Sequence, residues 1–336
     1  MITASPSARL SPPAPDWRQL WREAVTDPAE LLALLGLPQL AQQLPPGDAG
    51  FALRVPRGFV ARMHPGDARD PLLLQVLPQL AELEQIDGFA LDAVGDLAAR
   101  ETQGLLHKYH GRALLIASGS CAVNCRYCFR RHFPYGEEMA AAGQWRRALA
   151  HLRSDPGITE LILSGGDPLS LATAKLEELS RGLAELPHVT RLRIHTRLPV
   201  VLPERIDDAF LAWLTALPLQ KVVVLHANHA NEFDAAVEAA CARLREAGAT
   251  LLNQSVLLKG VNDEEHALVA LSERLFAANV LPYYLHQLDR VQGAAHFEVD
   301  DGRALALVEA MRTRLPGYLV PRLVREVAGE GSKRPL

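Results

Sequence analysis

The stretch that most constrains this chain is Ser120-Cys121-Ala122-Val123-Asn124-Cys125-Arg126-Tyr127-Cys128-Phe129-Arg130-Arg131, which carries three of the four cysteines in a C-x₃-C-x₂-C spacing. Free cysteine ordinarily packs like a small hydrophobe, but three thiols this close together, set among Asn, Arg and Tyr, do not make a core face. As thiolates on one loop they can hold three corners of a [4Fe–4S] cube. The fourth iron is then open to a small molecule, and we read that corner as a site for S-adenosylmethionine (SAM). Zinc usually takes four ligands, often in two pairs. His132 is the residue that would complete such a set, so a zinc centre is the competing metal reading.

Cys241 lies in the apolar pattern Ala239-Ala240-Cys241-Ala242 and is expected in the core. Four cysteines in 336 residues do not make a disulfide framework. Three on one loop point to a reducing compartment, which places the protein in the cytoplasm. With 35 basic and 39 acidic residues the formal charge is -4, which argues against nucleic acid as the main partner. The N-terminal residues lack a basic region followed by an apolar core, and no apolar run reaches the roughly 18 residues of a membrane span. Neither a signal peptide nor a membrane partner is expected.

Residues 1–16 hold four prolines and read as a flexible arm. Residues 17–108 read as a helical extension: Trp17, Leu20, Trp21 and Val25 have helical spacing, and Asp27-Pro28 opens another helix. From Arg112 the texture changes. Apolar, often β-branched runs at 113–117, 159–164, 191–196, 221–226, 250–257 and 283–288 alternate with helical stretches at 139–153, 173–186, 204–216, 231–247, 264–278 and 301–314. That alternation is the pattern of parallel β-α-β crossovers. It predicts an α/β fold with a partial, open (βα)₆ barrel over 109–300, six units being too few for the eight-unit barrel. A doubly wound open sheet is the competing topology. A C-terminal helix and tail fill 301–336.

Polar residues gather at the C-terminal ends of the expected strands, where parallel α/β folds place their ligands. The cysteine loop follows the first strand and Gly165-Gly166-Asp167-Pro168 the second. His195-Thr196-Arg197 ends the third, His226 the fourth, Gln254 falls in the fifth, and His286 and Asp289 end the sixth. Gly165 and Gly166 would let the backbone approach a ligand, and Asp167 could receive an amino group. A plain strand-to-helix turn led by Pro168 is the simpler alternative.

The cysteine spacing, with aromatic Tyr127 before the last cysteine, resembles the signature of radical-SAM enzymes. Taken with Lys108-Tyr109, Arg112, Ser164 to Leu169, His195-Thr196-Arg197, Asn253 to Leu258 and Gly331-Ser332-Lys333, the chain resembles the lysine 2,3-aminomutase family. Its ending, Tyr318 to Pro321 through Lys333 to Pro335, resembles the short branch that serves β-lysylation of elongation factor P.

The resemblance implies an isomerase that converts L-lysine to β-lysine with a [4Fe–4S] cluster, SAM and pyridoxal 5′-phosphate (PLP). It implies Cys121, Cys125 and Cys128 as cluster ligands, and Gly165, Gly166, Asp167, His226 and Gln254 near SAM. Lys333 would attach PLP, Arg112 would hold its phosphate, Arg130 would clamp the substrate carboxylate, and Asp289 and Glu326 would hold the far ammonium. The family commonly has Asp where Glu326 stands. Partners implied are a flavodoxin or ferredoxin as electron donor and the enzyme that ligates lysyl groups to elongation factor P. A glutamate or arginine aminomutase and a non-enzymatic iron–sulfur or zinc module are the alternatives. Two acids at the far site disfavour glutamate.

Overall fold

Apolar runs that alternate with amphipathic helices can bury both sheet faces only when helices flank a parallel sheet. The computed structural model of the chain, which describes residues 16–47, 50–143 and 145–336, has this arrangement. The arm expected over 1–16 lies outside the described residues except for Asp16.

One ten-stranded sheet runs in chain order: β1 (Arg100–Thr102), β2 (Leu105–Tyr109), β3 (Arg112–Ser118), β4 (Glu160–Gly165), β5 (Arg191–Thr196), β6 (Gln220–Leu225), β7 (Ala249–Val256), β8 (Leu281–His286), β9 (Arg322–Arg325) and β10 (Arg334–Pro335). β3 to β9 pair in parallel, each with the next. β1, β2 and β10 join antiparallel. The sheet is open, with β1 and β10 at its edges.

Helices cross over between the parallel strands. Thr173–Leu183 buries Leu176, Leu179 and Leu183, the spacing of one helical face. Ala235–Glu246 buries Val237, Ala240, Cys241 and Leu244, and the Asp234 carboxylate caps it by accepting the Val237 N–H. Cys241 is thus a core residue, as its apolar setting indicates. Before the sheet, short helices begin at aspartate–proline pairs: Asp27 caps Pro28–Leu34 and Asp70 caps Pro71–Leu74. Leu31, Leu32, Leu72 and Leu73 share one apolar cluster with Leu115, Leu161, Leu192 and Ile194 of β3, β4 and β5. The N-terminal segment is therefore packed onto the sheet.

The expected strands appear within about two residues of their predicted bounds, but four further strands appear as well. Residues 100–108, read as the end of a helical extension, instead supply β1 and all of β2 but Tyr109, and β2 is hairpinned onto β3. Leu105-Leu106-His107-Lys108-Tyr109 has no β-branched residue, so its strand state comes from pairing rather than local preference. The tail after the helix Asp301–Arg314 adds β9 as a seventh parallel strand, and β10 folds back on it with Arg334 opposite Arg325.

Candidate active site

One cavity of ≈ 370 Å³ extends from the loops that follow the parallel strands to Tyr109 and Arg112, where β3 begins, and is lined also by the folded-back tail. Cys121, Cys125, Cys128, Arg112, Arg130, Gly165, Gly166, Asp167, His226, Gln254, Asp289, Glu326 and Lys333 all line it. Every residue expected at the site from sequence is brought to one place, from positions spread over more than two hundred residues.

At one end is the cysteine loop, whose three thiols are half-buried. Burial, then mutual repulsion, pushes Cys121 well above the ordinary thiol range and Cys128 up to about 11. Cys121 and Cys128, which resist ionisation while crowded beside Cys125, fit a site meant for a cation, which would reverse that cost. His132 does not line the cavity, and its Nε2 is 3.1 Å from the Gln292 carbonyl. It is not placed to complete a four-ligand zinc set with the three thiols.

Four buried arginines surround this end, each fixed by a carboxylate. Arg126 and Arg131 converge on Glu82: Arg126 Nε is 2.9 Å and 3.1 Å from its two oxygens, and Arg131 Nη2 is 2.7 Å away. Arg130 donates from Nε to Asp96 at 2.6 Å and from Nη1 to Ser164 at 2.9 Å. Arg197 bonds Glu232 at 3.0 Å. Asp96 also holds Lys108 at 2.7 Å. Burial opposes its charge, but Arg130 and Lys108 bring its carboxyl below the usual range.

The Gly-Gly-Asp loop differs from the expectation. At Gly165, φ is 115°, and a Cβ would meet the Ser118 carbonyl at 2.6 Å; at Gly166 it would meet the Ser120 carbonyl at 2.7 Å. The glycines are needed because the loop packs against the backbone that leads into the cysteines. Asp167, expected to receive an amino group, lines the cavity and is already bonded within the protein. One of its oxygens accepts Thr196 Oγ1 at 2.7 Å and Leu169 N at 3.0 Å; the other accepts Arg197 N at 2.7 Å and Leu198 N at 3.1 Å. Four donors satisfy it, so it ties the β4 loop to the β5 loop. Burial nonetheless raises its carboxyl to about 6.

The other end belongs to the tail. The β9–β10 pairing turns the chain back so that Lys333 Nζ is 2.7 Å from Glu326 Oε2. Tyr109 donates its hydroxyl to Glu326 Oε1, and Lys108 Nζ lies 3.7 Å from the same oxygen. Burial alone would raise Glu326, but Lys333 and Tyr109 bring it below its ordinary range. The Arg112 guanidinium stacks 4.7 Å over the Tyr109 ring.

Several polar atoms lining the cavity are buried without a protein partner among the described residues: Nε2 of His195, His226, His286 and Gln254, and Oδ1 of Asp289. Buried polar groups are almost always satisfied, so this concentration fits a cavity built for polar ligands. Burial, then neighbouring cations, pushes His195 and His286 well below the usual imidazole range and His226 down to about 4, so all three are neutral donors or acceptors. Burial pushes Asp289 up to about 7, with Lys333 opposing.

Asp96 had no sequence signal, lying in a segment read as plain extension. Lys108 and Tyr109 stood in the resemblance without assigned roles. Leu106 and Lys108 both line the cavity, the two-residue alternation of a strand, and reading β2 as a strand would have found Lys108.

A sequence model described as the Radical SAM superfamily matches residues 115–271. An L-lysine 2,3-aminomutase of Escherichia coli (strain K12) is 49% identical, over 97% of this chain and 96% of its own length. The protein of that name from Haemophilus influenzae is 46% identical, over 95% of this chain and 94% of its own length. Another, from Clostridium subterminale, is 33% identical over 83% of this chain and 67% of its own length.

Proposed function

Because this chain belongs to the L-lysine 2,3-aminomutase family of the radical SAM superfamily, a family of isomerases, we propose that it moves the amino group of L-lysine from C2 to C3, giving β-lysine. The observation that carries this reading is the meeting, in one cavity, of a three-cysteine loop, a lysine on a folded-back tail, and acidic groups at the far end.

Cys121, Cys125 and Cys128 would hold the [4Fe–4S] cluster. Backbone of the Gly165-Gly166 loop, with His226 and Gln254, would face SAM. Lys333 would attach PLP and Arg112 would meet its phosphate, to which a guanidinium offers parallel hydrogen bonds. Bound there, the cluster with SAM supplies hydrogen abstraction by a carbon radical, and PLP supplies the delocalisation that lets nitrogen migrate.

The chain's own part is placement and exclusion of water. Arg130, its plane fixed by Asp96 and Ser164, would receive the substrate carboxylate. Asp289 and Glu326 would receive the far ammonium. An ammonium beside the unpartnered Asp289 oxygen would favour its ionised form. To attach PLP, Lys333 would leave the Glu326 carboxylate to which it is now bonded. Asp167, bonded to both the β4 and β5 loops, would keep the SAM-facing loop in register.

The C-terminal motif supports a finer reading, in which the β-lysine serves elongation factor P through its lysyl-ligating enzyme, with flavodoxin or ferredoxin as electron donor. We further assign 17–108 as a cover for one end of the core, 109–300 as the core, and 301–336 as the part that delivers Lys333. The test is anaerobic reconstitution with iron, sulfide, SAM and PLP, then incubation with L-lysine, L-glutamate and L-arginine in turn. β-Lysine from L-lysine alone is the expected result. Its absence, with product from either other amino acid, overturns the substrate assignment.

A further inference from the structure

Arg197 differs from the other arginines near the cysteine loop. Arg126, Arg130 and Arg131 lie on the loop and direct their hydrogen bonds to Glu82, Asp96, Ser164 and backbone carbonyls. Arg197 arrives from β5, and its Nη1 is in hydrogen-bonding contact with Cys125 Sγ and 2.6 Å from Tyr127 Oη. Its Nη2 donates to Gln75 Oε1 at 2.7 Å and Glu232 Oε2 at 3.0 Å.

This guanidinium cannot swing away. Glu232 is fully buried, and its other oxygen accepts the N–H groups of Asn228 at 2.8 Å and His229 at 3.1 Å and the Gln75 amide at 3.1 Å. Asn228 Nδ2 closes the network on Tyr127 Oη at 2.7 Å and Gln75 Oε1 at 3.0 Å. Burial opposes the charge on Arg197, yet Cys125, Tyr127 and Glu232 hold it ionised.

We propose that Arg197, held and partly neutralised by Glu232, sets the reduction potential of the cluster through its contact with the Cys125 sulfur. The proposal rests on the cluster assignment above. Reduction by an external one-electron donor adds one negative charge to the cluster and breaks no bond. A fixed cation donating to a cluster sulfur stabilises the reduced state more than the oxidised one, and so raises the potential. Glu232 acts in the opposite sense. Arg197 is therefore a positioning and tuning residue, and it links the N-terminal segment, through Gln75, to the electron-accepting centre.

The test is a redox titration of the anaerobically reconstituted holoenzyme, followed by the paramagnetic signal of the reduced cluster. In Arg197→Gln, at unchanged iron and sulfide content, the oxidised-to-reduced ratio at a fixed poise should rise at least tenfold, a midpoint drop of about 59 mV for a one-electron couple. Glu232→Gln should raise the midpoint, and Arg197→Lys should return it toward the parent. An unmoved midpoint in a fully loaded Arg197→Gln protein, or shifts of the same sign in the Gln variants, overturns the proposal. If Arg197→Gln does not fold, Glu232→Gln decides alone: a raised midpoint supports the proposal, and an unmoved or lowered one overturns it. Parent protein that takes up no cluster overturns the cluster assignment and this proposal with it.

Discussion

The two ends of the cavity are built on opposite principles. At the cysteine end, four buried arginines are each tied to a carboxylate: Glu82, Asp96 or Glu232. Each of those carboxylates is bonded, and of the four guanidinium groups only Arg131 Nε and Arg197 Nε are buried without a partner among the described residues, so most of the scaffold is set before anything binds. At the tail end, Asp289 has an unpartnered oxygen, nearby imidazole nitrogens are unmet, and Glu326 is held by Lys333, the residue proposed to change partner when PLP attaches. A redox centre needs a rigid, preorganised surround; a substrate pocket needs groups that gain partners only on binding.

The sharpest way to break this comparison is to remove one key residue from each end. Cys125→Ala should abolish 5′-deoxyadenosine formation and lose iron. Lys333→Ala should abolish β-lysine formation while keeping parent iron content and SAM binding. Loss of iron in Lys333→Ala would show that the two ends are not separable.

Next in size is the structural cost of disturbing the satisfied end. Glu82→Ala leaves Arg126 and Arg131 buried without their shared carboxylate, and removing one partner of a buried ion pair costs about 3–5 kcal/mol. Denaturant unfolding of the variant should show a loss of this order. A cost below about 1 kcal/mol would mean that water reaches the pair.

A smaller effect is expected where a single hydrogen bond serves binding. Tyr109→Phe removes the hydroxyl that Glu326 accepts. Such a bond to a charged group contributes about 1.5–3 kcal/mol to the folded protein, so unfolding stability should fall by about that much, and KM for lysine should rise because Glu326 is no longer held in place. Steady-state KM beside kcat distinguishes this from a general disruption.

A further difference is in pH dependence. The Asp289 carboxyl is raised to about 7, above its ordinary value of about 4 in an unfolded chain. The folded ligand-free protein therefore binds the extra proton, and stability falls as pH rises between those values. Asp289→Asn should flatten that part of the profile of melting temperature against pH. An identical slope in variant and parent would place the Asp289 carboxyl in contact with solvent.

Much of the architecture was legible because β3 to β8 each carry an apolar or alternating stretch of six to eight residues that can be recognised locally. The strands that flank them were not. β1, β2, β9 and β10 are short, and they exist because a neighbouring strand supplies their hydrogen bonds. The same division runs through the site. Cysteine spacing is a local property, as is the Gly-Gly-Asp turn. Asp96 acquires meaning only when β2 brings Lys108, and the cysteine loop brings Arg130, to the same carboxylate.

The sequence by itself determined most of the chemical groups the cavity would contain: the cysteines through their spacing on one loop, and Lys333, Arg112, Arg130, Asp289 and Glu326 through the resemblance they carry. Only the tertiary structure decided which of those groups are already engaged and which still lack a partner. Asp167 and Asp289 are the same residue type at the ends of parallel strands, yet one accepts four internal donors and the other has a bare oxygen. That difference arises because the partners of a buried carboxylate come from segments distant in the chain, and only folding brings them within hydrogen-bond reach.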